Sequence, residues 1–281
     1  MKLMNAFSLW DDIRIALQIA FFPTIKEVWK KPGLLWPSQW RRLSGIFMAH
    51  TWLVFGVGVD ENAKVPKARL LSPSDEEKRP QGIVLDLGAA HGHTVKYLDR
   101  DRVSHYVALE PNTLMHPKLR SLSSEAGFYE SDGSLIMLSC GAEDTKAILS
   151  SLKAAGISTD KPPVDTIISI MTLCTVPEPQ RTINSLVRDV LKSGGAFMIY
   201  EHVLSHRDDV AWWQRFWAPL WTIAFDGCRL DRPTDAYLKM VEIQCADGTK
   251  ESAWKEWKSW LKEGEDEECL FWHAVGRYVK K

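Results

Sequence analysis

The sequence predicts an α/β protein built on a doubly wound, mostly parallel sheet, and three observations carry that prediction. Short β-rich runs alternate with helical ones from Gly82 onward. An apolar strand tipped by an acid opens into a two-glycine turn at residues 83–93. The 13 Trp avoid this region: five lie at or before Trp52, eight at or after Trp212, and none between. The middle of the chain therefore reads as the sheet, and the ends as a separate layer.

Taken in order, residues 9–31 place Leu9, Ile13, Leu17, Ala20, Phe21, Ile25 and Val28 on one helical face. Pro23 is expected to kink or divide that helix, and Pro32 and Gly33 to stop it. A second helix is expected over about 38–57, completing an N-terminal helical cap at 1–60. The polar stretch 61–81, with Pro66, Ser72, Pro73, Ser74 and Pro80, reads as a linker. Strands follow at 83–87, 107–109, 135–139, 166–170 and 197–202. Pro177 to Leu191 reads as a helix, closed by Gly194 and Gly195. After Ser205 comes a Trp-rich insertion, about 205–247, with helices expected at 209–224 and from Thr234. Trp254, Trp257 and Trp260 recur every three positions among Lys and Glu, a pattern open to an amphipathic helix or an edge strand, and strand is preferred. The last, antiparallel strand is expected at 270–279, so residues 82–281 form one domain carrying the insertion.

Bulk properties exclude several classes. With 35 Lys+Arg against 36 Asp+Glu, the net charge of −1 argues against a nucleic-acid binder built on positive charge. A composition 45% hydrophobic and 25% charged excludes wholesale disorder. Five Cys, widely spaced and without a Cys-x-x-Cys pair, argue against a disulfide scaffold or a structural zinc site; no metal is expected, and the compartment reads as reducing. The apolar runs 13–22 and 46–59 are shorter than the roughly 18–20 residues that span a bilayer. No transmembrane helix is therefore expected. Asp11, Asp12 and Arg14 also interrupt the uncharged core that a secretory signal needs. A cytoplasmic location is expected, peripheral to a membrane if the N-terminal helices touch one. Residues 1–60 carry seven Lys+Arg against four Asp+Glu, with Lys26, Lys30, Lys31, Arg41 and Arg42 interleaved with Trp29, Trp36 and Trp40. Such a face suits an anionic lipid surface, and a solvated helix face equally.

The chemistry concentrates in IVLDLGAAHGH at 83–93. Gly88 and Gly92 at a strand-to-helix turn let a ligand approach the backbone beside helix N-terminal amides. Glu110, 22 residues after Gly88 in VALEPN, can accept hydrogen bonds from both ribose hydroxyls of an adenosine-type ligand. The glycines are spaced G-x-x-x-G rather than G-x-G-x-x-G, and Asp86 would face a pyrophosphate. A nicotinamide-dependent oxidoreductase is thereby disfavoured, whereas an acid there suits a positively charged amino group.

On these residues the chain resembles the class I methyltransferases that use S-adenosylmethionine, over about 82–202 and with every element of their Rossmann-like sheet in order. The resemblance implies that Asp86, Gly88, Ala89, Ala90 and Gly92 serve the methionyl part of the cofactor. It further implies that Glu110, with Pro111 and Asn112, binds the ribose, that Gly141, Ala142 and Glu143 border the adenine, and that the segment with Met171 faces the reacting methyl group. Ala90 departs from the pattern, which usually has Gly there. LCTV at 173–176, GGAFMIYEHV at 194–203 and FDGCRLDR at 225–232 are similar to the small-molecule branch related to membrane-associated alkyl-thiol S-methyltransferases. The resemblance implies a small-molecule acceptor methylated on sulfur, or on the oxygen of a hydroxyl or carboxylate. The segment 170–176 lacks the Asn/Asp-Pro-Pro-aromatic arrangement that holds a nucleic-acid base amine. Ala90 leaves open an alternative, a cofactor-binding protein of the same fold that does not methylate.

For the acceptor side, His202 is the candidate base at the end of the fifth strand, against the reading of a hydrogen-bonded structural histidine. Asp226 is a second candidate base and a candidate acceptor-binding residue, against a turn-capping role. Trp213, Trp217 and Trp221 are candidate acceptor-binding residues in a lid above the sheet, against simple packing between helices. His91 and His93 are expected to fix the glycine turn or to face solvent, and Cys174 and Cys228 to pack.

Overall fold

In a computed structural model of the chain, which describes residues 1–244 and 248–281, the N-terminal end is helical, whereas the C-terminal end, with Trp254, Trp257 and Trp260, returns into the sheet and not into a separate layer. Cys245 and the rest of 245–247, the end of the expected insertion, lie outside the described residues. After a short turn of helix, α1 (Leu3–Ala6), the chain forms α2 (Ser8–Lys30) and α3 (Trp40–Asn62), which pack against each other. Pro23 lies inside α2 without dividing it, since one missing donor is a local loss in a long helix. The helical run Pro37–Asn62 is long and apolar enough by length and composition to cross a membrane, with 22% of its most apolar window buried, contrary to the expectation of no such helix. The apolar run 46–59 is short by itself, but it is continuous with the helix that precedes it.

The expected linker contains α4 (Lys64–Leu71) instead. Pro66 occupies its first turn, where the backbone N–H has no intrahelical acceptor to lose. Leu70 and Leu71 bury against the sheet, and Lys67 donates to Asp60 at the end of α3 (2.6 Å).

The sheet strands are β1 (Gly82–Leu87), β2 (Val103–Leu109), β3 (Leu135–Leu138), β4 (Val164–Ile170) and β5 (Leu191–His202). Between them lie α5 (His116–Glu125), α6 (Thr145–Ala154) and α7 (Pro179–Ser185). Beyond β5 come α8 (Asp208–Ala224), α9 (Thr234–Lys239) and a small hairpin of β6 (Glu242–Gln244) and β7 (Lys250–Ser252). Strands β8 (Trp254–Leu261) and β9 (His273–Lys280) close the chain. The seven-stranded order is β3-β2-β1-β4-β5-β9-β8, parallel from β1 to β5, with β9 antiparallel to both neighbours. This is the doubly wound, Rossmann-like sheet expected from the alternation of strands and helices, and β8 resolves the Trp-every-three pattern as an edge strand.

The inner strands are buried on both faces, which is why they read as apolar runs without alternation. Leu85, Val107, Ile167 and Phe197 pack into one core, and Val84, Tyr106, Ile168 and Met198 into the other. Because β2 and β4 flank β1 and their connections leave in opposite directions, a crevice opens past the carboxyl ends of these strands.

Candidate active site

A cavity of about 760 Å³ lies at that crevice, within the ordinary range of roughly 300–1,000 Å³ for small-ligand sites. Its sheet-side wall is made of strand ends: Gly88 and Ala90 after β1, Glu110 to Asn112 after β2, Gly141 to Glu143 after β3, and Met171 after β4. Nine of the residues expected to hold a cofactor thus meet around one cavity. Asp86, Ala89 and Gly92 sit behind this wall. The Asp86 carboxylate accepts the Tyr106 hydroxyl at 2.7 Å inside the sheet. Burial pushes its pKa up to about 7, against the pull of Tyr106 and Lys67.

Backbone geometry explains the turn. Gly88 has φ 60°, and a Cβ there would come within 2.5 Å of Thr172 Oγ1, so only glycine fits. Ala90 also takes the left-handed region, φ 47°, at a cost of about 1–2 kcal/mol for a residue with a Cβ. This accounts for glycine being usual at that position. The Ala90 N–H donates to Glu110 Oε2 (2.9 Å) and the Asn112 N–H to Glu110 Oε1 (2.7 Å), which fixes the carboxylate at the cavity wall. Burial raises the Glu110 pKa to about 7, although both amides oppose the shift.

The wall after β4 is organised by Glu201, a residue inside the quoted GGAFMIYEHV string whose role the sequence does not disclose. Its Oε1 accepts from the Ser169 hydroxyl (2.6 Å), the Thr172 N–H (3.0 Å) and the Leu173 N–H (3.1 Å). Thr172 Oγ1 in turn donates to the Leu87 carbonyl (2.8 Å), tying the β4 and β1 ends together.

The opposite wall differs from the expected tryptophan lid. It is the face of α3 that carries Arg41, Gly45, Met48 and Trp52, spaced four, three and four residues apart as one helical face requires. Asp226 faces it from the turn after α8. Trp217 and Trp221 are buried away from the cavity, and Trp213 packs with them. Trp217 Nε1 donates to the Ala6 carbonyl (2.7 Å), and Trp221 stacks on Phe225 with ring centroids 3.9 Å apart. These tryptophans fasten α8 to the N-terminal helices, because the apolar stripe of α8 is satisfied by α2 before it can reach a ligand.

His202 is likewise not on the cavity wall. It is buried, with Nε2 3.2 Å from Cys228 Sγ, so it stands outside hydrogen-bond reach of an acceptor in the cavity. His91 and His93 pack beside α3: a Cβ on Gly56 would lie 2.9 Å from His93 Nε2. Burial lowers the His91 pKa to about 4, which keeps that ring neutral.

The switch-point crevice thus brings together the glycine turn and the carboxylate after β2, residues expected from the sequence to hold a cofactor. A family described as "Methyltransferase domain" matches residues 60–265, and the chain belongs to that family, with S-adenosylmethionine as its cofactor. Two solved structures share the fold: an O-methyltransferase family protein from Burkholderia thailandensis (TM-score 0.51, 11% identity, 96% of this chain and 72% of that one) and a candidate O-methyltransferase from Nostoc punctiforme (TM-score 0.52, 9% identity, 94% and 71%). The chain is also similar to the human thiol S-methyltransferase TMT1A, 37% identical over 73 residues. That match spans 25% of this chain and 28% of the length of the relative.

Proposed function

We propose that the chain transfers the methyl group of S-adenosylmethionine to the sulfur of a small, apolar thiol. The observation that carries this reading is the makeup of the acceptor wall: Ile46, Met48 and Trp52 are joined by Arg41 and Arg42, with no histidine among the described cavity residues and with Asp226, whose pKa burial raises, as the carboxylate that faces α3. A thiol with a pKa of about 8.5 supplies thiolate unaided, and nearby guanidinium groups favour that form further. A phenol or alcohol at pH 7 is mostly protonated and profits from a neighbouring base. The similarity to a thiol S-methyltransferase supports the same acceptor. O-methylation of a carboxylate is the second reading, since the same cations suit that anion.

When bound, the cofactor supplies an already activated methyl group, so the work of the protein is alignment and exclusion of water. Glu110 would hold the two ribose hydroxyls, the Gly88–Ala90 turn would accept close approach of the cofactor, and α3 would close the acceptor side. A labelled-methyl assay over thiols, phenols and carboxylic acids tests the proposal. Thiol turnover is expected, with the rate profile displaced to higher pH in Arg41→Met. Transfer to phenols or carboxylates with none to any thiol would overturn it.

The N-terminal helices also present Phe22, Trp29, Trp36, Leu53 and Val57 to solvent, beside Lys26, Lys30 and Lys31. This face is proposed to rest on an anionic lipid surface, from which an apolar acceptor would enter. Co-sedimentation with phosphatidylserine vesicles at low salt, lost at high salt, is expected; protein that stays in the supernatant would refute it.

A further inference from the structure

Behind the acceptor wall, three elements distant in sequence bring two cysteines and one histidine together. Cys174 follows β4, His202 ends β5, and Cys228 lies in the turn after α8. Their ligand atoms all fall within 4.8 Å of one another, with Sγ to Sγ at 3.4 Å and His202 Nε2 to Cys228 Sγ at 3.2 Å. All three are buried, and His202 Nδ1 has no partner among the described residues.

We propose that these three side chains bind a thiophilic, redox-inert divalent ion, Zn(II). Magnitudes separate this from the competing reading, a disulfide. Tetrahedral zinc with Zn–S near 2.3 Å and Zn–N near 2.0 Å requires S···S and S···N edges of roughly 3.8 and 3.5 Å. The two observed separations need to open by only a few tenths of an ångström, and the edge from His202 to Cys174 Sγ, within 4.8 Å, has to settle at about 3.5 Å. A disulfide would have to draw the sulfurs from 3.4 Å to about 2.05 Å, and it would leave His202 without a role. Two thiolates and a dication sum to zero charge, which a buried site tolerates; the charged groups nearest Cys174, Glu201 and Arg232, offset one another. No fourth Cys, His, Asp or Glu joins the group among the described residues, which leaves one position for water. Cys228 keeps 8% of its surface exposed, a way in for the ion.

The site would clamp the loop after β4 to the turn carrying Asp226, and so hold the two sides of the acceptor wall in register. It would act by positioning, not by contact with the acceptor. Local spacing does not reveal such a cluster, because 54 residues separate the two cysteines.

The test uses the full chain, reduced, stripped with chelator and dialysed against Zn(II), with metal content read by mass spectrometry. One bound zinc per chain is expected, falling to none in Cys174→Ser and Cys228→Ser. Since a serine in the core can fail to fold, Co(II) is also loaded into the unsubstituted protein. Intense tetrahedral d–d bands with sulfur-to-cobalt charge transfer are expected, together with a melting temperature that rises with added Zn(II) and returns with chelator. A folded, fully reduced protein that takes up no metal would overturn the proposal. So would equal metal content in folded Ser variants, or isolation with an intact Cys174–Cys228 disulfide in place of metal.

Discussion

Cofactor affinity is expected to depend on pH through Glu110, and Glu110→Gln measures by how much. The carboxylate lines the cavity with a pKa near 7, so about one molecule in eleven is ionised at pH 6 and ten in eleven at pH 8. If only the ionised form accepts both ribose hydroxyls, affinity rises about tenfold across that interval. Replacing the charged acceptor by an amide removes roughly 1.5–3 kcal/mol, or about 10- to 100-fold, at pH 8. The same substitution at pH 6 is expected to cost tenfold less, because most of the native protein has already lost the charge.

Calorimetric titration with S-adenosylhomocysteine at both pH values provides the measurement. The ratio of the two proteins is the quantity to follow, since titration of the ligand's own amino group cancels in it. A ratio that stays constant from pH 6 to 8 would refute the assignment. Stability without ligand gives an independent check of sign. A folded pKa near 7 lies above the unfolded value of about 4.3, so the Glu110 contribution is fully present below about pH 4 and is lost as pH rises to 7. Asp86, also pushed up to about 7, adds a slope of the same sign, and Glu110→Gln removes only its own share.

Other substitutions probe the remaining parts. Ala90→Gly relieves left-handed strain of about 1–2 kcal/mol against an added unfolded-state entropy of roughly 0.4–1 kcal/mol, so stability in denaturant titration is expected to rise by roughly 0–1.6 kcal/mol without loss of cofactor binding. Lys67→Met removes one of the two lysines on buried Asp60 and leaves Lys96, so the loss in denaturant titration should fall short of the roughly 3 kcal/mol of a buried charge left unpaired, and Lys67→Met/Lys96→Met should lose more than Lys67→Met. Glu201→Ala strands the Thr172 and Leu173 amides at roughly 1–3 kcal/mol each; methyl transfer should fall as the wall after β4 loosens, and Glu201→Gln, which keeps an acceptor, should restore much of it. Gly45→Leu projects a side chain towards Asp226 Oδ2, 3.4 Å from the first added carbon, so acceptor KM should rise while the fold survives.

What could be read from sequence was what is local in sequence. The glycine turn, the acid after β2 and the strand runs each occupy a few consecutive residues, and backbone approach and ribose recognition need no more than that. Lys67 and Leu70 were hidden because Pro66, Pro73 and Pro80 dominate the stretch, although Pro66 is harmless in a first turn. The tryptophans of α8 misled because an apolar helical stripe looks the same whether it meets a ligand or another helix, and α2 reached it first. His202, Cys174 and Cys228 meet only through the sheet, so the two widely separated cysteines looked inert. The α3 face was in principle legible, since Arg41, Gly45, Met48 and Trp52 share one helical side, but its basic and apolar residues suit a membrane face just as well.

The strain in the backbone suggests why α3 matters beyond covering the cavity. Among the described residues four non-glycine residues adopt positive φ, and three of them, Ala90, Met171 and Asp226, lie on the cavity wall. Each conformation costs about 1–2 kcal/mol, and each is held by a hydrogen bond to its own N–H. Glu110 holds Ala90, the Tyr200 carbonyl holds Met171 (2.8 Å), and the Ser44 hydroxyl of α3 holds Asp226 (2.8 Å). One residue further along α3, the Gly45 carbonyl accepts from Asn112 Nδ2 at 2.8 Å, beside Glu110. Two consecutive residues of α3 thus fasten the acceptor turn and the cofactor turn. Displacement of the helix would release both together, so Ser44→Ala is expected to loosen the Asp226 turn alone, read as faster amide exchange there than after β2.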